Sequence, residues 1–256
     1  MGVFTTAKQR LVSVTRVLAR RLTAETTDFD PAFFPLAAQV RGFTMTSQLR
    51  QYALFRAAKF VTAKRIEGAF VECGVWRGGS SLLAALTFKH LGDQSRDLWL
   101  YDTFAGMTAP TVFDAKPGKT PESTVVNFKA QQKDDHNAWC YASLEDVKGC
   151  LARADYPADK LHYVVGDVTS TLPGNLPGKI AILRLDTDFY DSTKAELEHL
   201  YALLKPGGIL ILDDYGGWDG ARKAVDEFLA AQPTPVFLAR VDETARIAQK
   251  PYPAAA

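Results

Sequence analysis

Apolar residues recur along this chain in two alternating rhythms. Leu49, Tyr52, Ala53, Ala57, Phe60 and Val61 fall on one side at about 100° per residue, which predicts a helix starting after Thr46-Ser47, where a hydroxyl can cap the first turn. A short apolar run follows, Ala69-Phe70-Val71-Glu72-Cys73, then a glycine-rich turn, a helical stretch from Ser81 to Phe88, and a second run, Leu98-Trp99-Leu100-Tyr101-Asp102. Continuous apolar strands separated by helices predict an α/β fold with a parallel sheet covered on both faces.

The rhythm breaks over residues 104–140, which carry Gly106, Pro110, Pro117, Gly118 and Pro121 and then the polar Gln131-Gln132-Lys133-Asp134-Asp135-His136. So long a connection reads as a lid-like insertion. Regularity returns at Ser143, a cap with Asp146 three residues on, and at the strands Leu161–Val165 and Ile180–Leu185. Leu197, Leu200, Tyr201 and Leu204 then keep helical spacing, and Lys205-Pro206-Gly207-Gly208 reads as the breaker that ends that helix. Ile209–Leu212 predicts a central strand buried on both faces, and Ala221, Ala224, Val225, Phe228 and Leu229 the inner side of a last helix. Val236–Val241 and Ala245–Gln249, separated by Asp242-Glu243-Thr244, suit a closing antiparallel hairpin, so that seven strands are expected in all. Residues 1–43 differ, with Lys8, Arg10, Arg16, Arg20 and Arg21 interleaved with Leu11, Val14, Leu18 and Leu22. They read as a basic helical arm that packs on the body or on a second subunit, ahead of a main domain over 44–256.

Composition narrows the function. The 256 residues are 23% charged and 47% apolar, as in an ordinary globular protein, and thirty basic against twenty-nine acidic residues leave +1. That balance gives nucleic acid no electrostatic footprint. The three cysteines suggest neither a disulfide framework nor a zinc site, and neither an apolar run of about 18 residues nor the apolar core of a signal peptide is present. A soluble protein of a reducing, cytoplasmic compartment, without stable membrane insertion, is the expectation.

Chemistry concentrates at the predicted carboxyl ends of the strands, where open α/β sheets bind ligands. Strand one delivers Glu72, Gly74, Gly78, Gly79 and Ser80, a turn that lets backbone approach a ligand. The dinucleotide fingerprint would need glycine at position 76; Trp76 stands there, which disfavours a nicotinamide cofactor. Asp102 can accept from the vicinal hydroxyls of a ribose, and Gly166-Asp167 either meets an adenine or makes a simple turn. Asp186, Asp188, Asp213 and Asp214 crowd one rim and repel one another unless something positive sits among them. A hard divalent cation on Asp186, Asp213 and Asp214 answers this; helix caps, or a rim bridged by Arg184 and Lys194, are the other readings. His136, in the lid beside Asp134, Asp135 and Trp139, is a candidate for touching substrate or taking a proton, whereas Cys73 reads as core and His162 as a packed strand residue.

Thr44-Met45-Thr46-Ser47, the string from Phe70 through Glu72-Cys73-Gly74-Val75-Trp76-Arg77-Gly78-Gly79-Ser80, Tyr101-Asp102-Thr103-Phe104-Ala105-Gly106-Met107, Asp186-Thr187-Asp188-Phe189-Tyr190 and Lys205 through Tyr215 resemble the macrocin O-methyltransferase (TylF/MycF/NovP-type) family. The likeness runs from about Thr44 to Ile247, and the Glu-Cys-Gly-Val-Trp-Arg-Gly-Gly-Ser string is its most specific part. The resemblance implies a Rossmann-like class I fold, S-adenosylmethionine as cofactor, a bound Mg²⁺, and methylation of a hydroxyl on a sugar or glycosylated natural product. It would place the metal on Asp186, Asp213 and Asp214, with Asp186 also the general base. The cofactor would lie on Thr46, Ser47, Glu72, Gly74, Gly78, Ser80, Asp102, Gly166 and Asp167. Relatives of this kind also suggest a homo-oligomer. A catechol or phenol O-methyltransferase using the same chelation is the alternative, since the lid and the arm match the family poorly and leave the acceptor open.

Overall fold

The computed structural model describes residues 26–253. The chain divides into two units, Met1–Pro35 and Leu36–Ala256. In the first, Phe29 meets Phe33 edge-on at 5.5 Å between ring centroids and stacks on Phe34 at 6.3 Å. The basic positions Lys8 to Arg21 lie outside the described residues.

Helix α1 (Phe33–Gln39) precedes α2 (Gln48–Ala63), which the Ser47 hydroxyl opens by accepting from the Arg50 N–H at 3.2 Å. Strand β1 (Ala69–Cys73), α3 (Gly79–His90) and β2 (Leu98–Asp102) follow as expected. Within the lid-like stretch lies a helix that periodicity does not reveal, α4 (Pro121–Gln131), whose side chains bury only Thr124. Its start is nevertheless written in Thr120, the cap, Pro121 at the first turn, and Glu122 near the positive end of the helix. Helix α5 (Leu144–Ala152) carries the expected capping box: Ser143 Oγ accepts from Asp146 N–H at 3.1 Å, and Asp146 accepts from Ser143 N–H at 3.2 Å.

Then come β3 (Leu161–Val165), the short α6 (Val168–Thr171), β4 (Ile180–Leu185) and α7 (Tyr190–Leu200). The breaker reading of Lys205-Pro206-Gly207-Gly208 is corrected here: α7 stops at Leu200, and those four residues lie inside β5 (Leu204–Leu212). They form a bulge, because Ile180 pairs with Leu204 while Ile182 pairs with Ile209. The chain ends in α8 (Asp219–Ala230), β6 (Ala239–Arg240) and β7 (Arg246–Gln249), so the expected first hairpin strand shrinks to two residues.

The seven strands run in the order β3-β2-β1-β4-β5-β7-β6, parallel from β3 to β5 and antiparallel at β7 and β6. Helices α2, α3 and α5 pack together on one face and α6, α7 and α8 on the other. Alternate residues of β1 divide accordingly: Val71 and Cys73 join Leu183, Leu185, Leu197, Leu200 and Val225 in one buried cluster. Glu72 points to the opposite face, where Ser81 of α3 meets it. The chain steps outward from β1 to β2 and β3 and then returns to β4 on the other side of β1, and at this reversal of strand order the carboxyl ends of β1 and β4 open a crevice. Gly74 closes the back of it. Its φ is +82°, and a Cβ there would collide with the Asp186 carbonyl oxygen, so only glycine lets the two strand ends lie this close.

Candidate active site

A cavity of about 320 Å³ opens at this crevice, lined by the ends of β1 to β5, the segment 43–46, and parts of the 104–140 connection. One wall is the turn after β1. The Asp102 carboxylate accepts from the N–H groups of Val75 at 2.7 Å and Trp76 at 3.0 Å with one oxygen, and from Phe104 at 2.8 Å with the other. Burial pushes the Asp102 carboxyl upward, against these three main-chain donors. Asp102 therefore fixes the loop that faces the cavity, a use of the carboxylate that the ribose reading did not include. The loop is strained to match, with Trp76 held at φ +46°, where a bulky side chain seldom sits.

Behind the rim lies a buried ionic network that begins in strand register. Glu72 of β1 stands directly beside Arg184 of β4, and the guanidinium donates to Glu72 at 2.5 Å, to Asp186 at 2.7 Å and to Asp213 at 2.7 Å. Burial works against the Arg184 charge, yet Asp186, Asp213 and Glu72 hold its pKa well above the usual value. The second oxygen of Asp213 accepts from Arg50 of α2, whose Nε also donates to Asp242 at 2.7 Å. Asp242 in turn accepts from the Ser47 hydroxyl at 2.6 Å.

On this network sit Asp186, Asp213 and Asp214, each offering an oxygen within 4.8 Å of the others. Burial, with mutual repulsion, pushes the Asp186 carboxyl well above the ordinary range, and burial with Asp188 and Asp213 does the same for Asp214. Asp188, at φ +68°, donates its N–H to Asp214 at 3.2 Å, and its own carboxyl is pushed up to about 7 by burial and Asp186. Of the other readings of these acids, the helix caps do not hold, since the cap positions of α7 and α8 are Phe189 and Trp218, neither with a side-chain cap; the bridged rim holds for Arg184, which pairs with Asp186 and Asp213, and not for Lys194, which sits over the Tyr190 ring at 5.8 Å. Three desolvated, mutually repelling carboxylates form the hard-oxygen donor set that a small divalent cation fits, and they outnumber the two arginines that meet them.

Of the residues anticipated from sequence, Thr46, Glu72, Gly74, Ser80, Asp102, Gly166, Asp167, Asp186, Asp213 and Asp214 all line this one cavity. Three do not. Ser47 is turned to its capping role and to Asp242; Gly78, at φ +85°, is the left-handed entry to α3 and packs toward Leu151, Val147 and Cys150, leaving Gly79 to face the cavity. His136 is corrected as well: its Nδ1 pairs with Asp135 at 2.6 Å and its ring stacks on Tyr141 at 4.2 Å, away from the lining. Sequence reasoning missed Arg50, Met107, Lys116, Cys140 and Trp218, which do line it. Trp218 had a signal in its place four residues beyond Asp214, after Gly216-Gly217; the others carried none. The Cys140 thiol, pushed up to about 12 by burial and by Asp188, Asp186 and Asp214, is no nucleophile.

The family model described as Macrocin-O-methyltransferase (TylF) matches residues 8–250. The 8-demethyl-8-(2,3-dimethoxy-alpha-L-rhamnosyl)-tetracenomycin-C 4'-O-methyltransferase of Streptomyces olivaceus is 35% identical over 185 residues, which is 72% of this chain and 67% of that protein. Demethyldecarbamoylnovobiocin O-methyltransferase of Streptomyces niveus is 28% identical over 187 residues, 73% of this chain and 68% of that one. Among solved structures, the O-methyltransferase NovP superposes with a TM-score of 0.72 at 25% identity, over 94% of this chain and 99% of its own. The family match extends over the sheet, the glycine turn and the acidic rim together, and on it and the 35% identical relative this chain belongs to the macrocin O-methyltransferase (TylF) family and is an S-adenosylmethionine-dependent O-methyltransferase.

Proposed function

We propose that the protein transfers a methyl group from S-adenosylmethionine to a hydroxyl of a sugar or glycosylated natural product, with Mg²⁺ held by Asp186, Asp213 and Asp214. The observation that carries this reading is the set of three carboxylates within 4.8 Å of one another, in the same cavity as the glycine turn and Asp102. The Streptomyces olivaceus relative reported above is named for methylation of a rhamnosyl compound, which supports a sugar acceptor.

Methyl transfer from a sulfonium is an in-line displacement, so the acceptor oxygen has to be held still and aimed. The turn from Gly74 to Gly79, braced by Asp102, and the main chain at Gly166-Asp167 form the surface for the cofactor. Mg²⁺, when bound, supplies a Lewis acid that lowers the pKa of an alcohol and fixes its direction. Asp186 is the proton acceptor: one of its oxygens is held by Arg184, which leaves the other directed by that anchor, and burial raises its basicity. Arg50 and Arg184 keep Asp213 in place from opposite sides.

The test uses metal-stripped protein, S-adenosylmethionine and a panel of glycosides and simple catechols. Asp186→Asn and Asp214→Asn are each expected to lower Mg²⁺-supported turnover on a glycoside by about 10²–10⁴-fold while S-adenosylhomocysteine still binds in calorimetry. Full turnover in both variants would remove the metal assignment, and transfer to catechols with none to any glycoside would replace the sugar by an aromatic diol.

A further inference from the structure

The cavity has a second wall, apart from the turn that faces the cofactor and from the metal candidates. Trp139 and Trp218 stand 5.9 Å apart between ring centroids, and Phe189 closes on both edge-on, at 6.0 Å from Trp139 and 5.2 Å from Trp218. Trp218 is 5% exposed, whereas Trp139 and Met107 are half-buried and line the cavity, so the first backs the wall and the other two give it an open apolar surface. The backbone holds the wall rigid: the Met107 N–H donates to the Trp139 carbonyl at 3.1 Å, and the Trp218 N–H to the Asp214 carbonyl at 3.0 Å. The indole wall therefore grows out of the same turn that carries Asp214.

At its edge stands Lys116, with its ammonium 5.2 Å from the Trp218 ring centroid. The preceding residue, Ala115, accepts from the Asp219 N–H at 2.9 Å, which ties this segment to the start of α8. The other cation lining the cavity, Arg50, is bound to Asp213 and Asp242. Lys116 makes no ion pair among the described residues. Lys116 is exposed at the edge of the cavity, and an ammonium that lines a binding cavity beside an aromatic ring, without a carboxylate of its own, is free to meet an anionic group of a ligand.

Resting on the sugar reading above, we infer that this wall is the acceptor subsite, and that the acceptor is a sugar bearing a phosphate or a carboxylate. A pyranose ring presents C–H groups on its faces and hydroxyls at its rim, so stacking on Trp139 leaves a diol free to reach toward the acid cluster. The anionic substituent then lies at Lys116, beside the Trp218 ring. The acidic rim repels an anion placed elsewhere, which makes Lys116 a determinant of orientation as well as of affinity.

The test measures binding to the full chain loaded with S-adenosylhomocysteine, using three probes: methyl α-L-rhamnopyranoside, a nucleoside-diphosphate rhamnose and a methyl glucuronide. The two charged probes separate phosphate from carboxylate as the source of the anion. At least one is expected to bind about tenfold more tightly than the neutral glycoside, and less so as salt is raised. Lys116→Gln is expected to erase that preference and Lys116→Arg to keep it, with S-adenosylhomocysteine affinity as the check on folding. Trp139→Ala is expected to weaken all sugars by about tenfold or more, and Trp139→Phe to retain them. A charge preference unchanged in Lys116→Gln, or sugar affinities unchanged in Trp139→Ala, would overturn the subsite even if glycosides are methylated. Binding of the thioether cofactor with no affinity for any of the three sugars would overturn the substrate class itself.

Discussion

At the scale of single residues, Asp242 shows how far the support of the site reaches. It lies in the C-terminal hairpin, yet it receives the Ser47 hydroxyl and the Arg50 guanidinium, and it also accepts from the N–H groups of Thr244 at 3.0 Å and Ala245 at 2.9 Å. Burial works against its charge, and these donors outweigh it, holding the carboxyl at about 2. The folded value is thus below the unfolded one, so the stability this acid contributes is present above an ordinary aspartate value of 3.8 and is lost as pH falls toward about 2. Asp242→Asn is expected to lower the melting temperature near neutral pH, and the gap to the unmodified protein is expected to close on acidification through that window. A gap constant between pH 5 and pH 2 would show that the charge of Asp242 does not brace α2.

Asp242 is also the kind of residue that sequence reading passes over, because its partner Arg50 lies 192 positions away and nothing local connects them. The acids at strand ends were legible for the opposite reason. A carboxylate directly after an apolar run has its place decided by the strand, and Asp186 and Asp213 follow Ile180–Leu185 and Ile209–Leu212. His136 misled because its neighbours Asp134 and Asp135 look like a catalytic setting, whereas the Asp135 contact and the Tyr141 ring satisfy it locally.

Among the elements, the central strands β1, β4 and β5 could be read off as continuous apolar runs, since both of their faces are largely buried. Helix α4 could not, because a helix that buries only Thr124 has no apolar stripe to display. The bulge in β5 escaped for a different reason: Pro206, Gly207 and Gly208 carry the chemistry of a helix stop, and only pairing with β4 and the tail makes them part of a strand. The pairing of β1 with β4 matters most for the site. It sets Glu72 beside Arg184 in a buried layer, where removing one partner strands the other. Arg184→Met is expected to destabilise the fold by about 3–5 kcal/mol in denaturant titration, and Glu72→Leu combined with Arg184→Met by less than the sum of the single changes. Additive losses would mean that the two side chains stabilise the sheet independently.

For the whole molecule, the acid cluster couples stability to protons and, at the proposed site, to metal. Asp186, Asp188 and Asp214 have folded values above their unfolded ones, so the metal-free fold holds protons that the unfolded chain would release. That stability is complete below the ordinary value of 3.8 and is lost as pH rises toward the folded value, about 7 for Asp188. Mg²⁺ bound at the proposed site offsets the loss at the upper end of this window. Thermal unfolding is therefore expected to show a larger rise in melting temperature on adding Mg²⁺ at pH 8 than at pH 5, and little rise in Asp214→Asn. An equal rise at both values would place the bound cation elsewhere.

Arg50 and Arg184 give that coupling a further meaning. They are cations that the chain itself carries into the acid cluster, anchored on α2 and β4 and shared with Glu72 and Asp242. A carboxylate nest of this density without resident counter-ions would collapse or open whenever its metal left. Here the two guanidinium groups meet the acids from within the fold, so on the proposed reading stripping Mg²⁺ is expected to silence the enzyme and leave it folded, ready to resume when the ion returns.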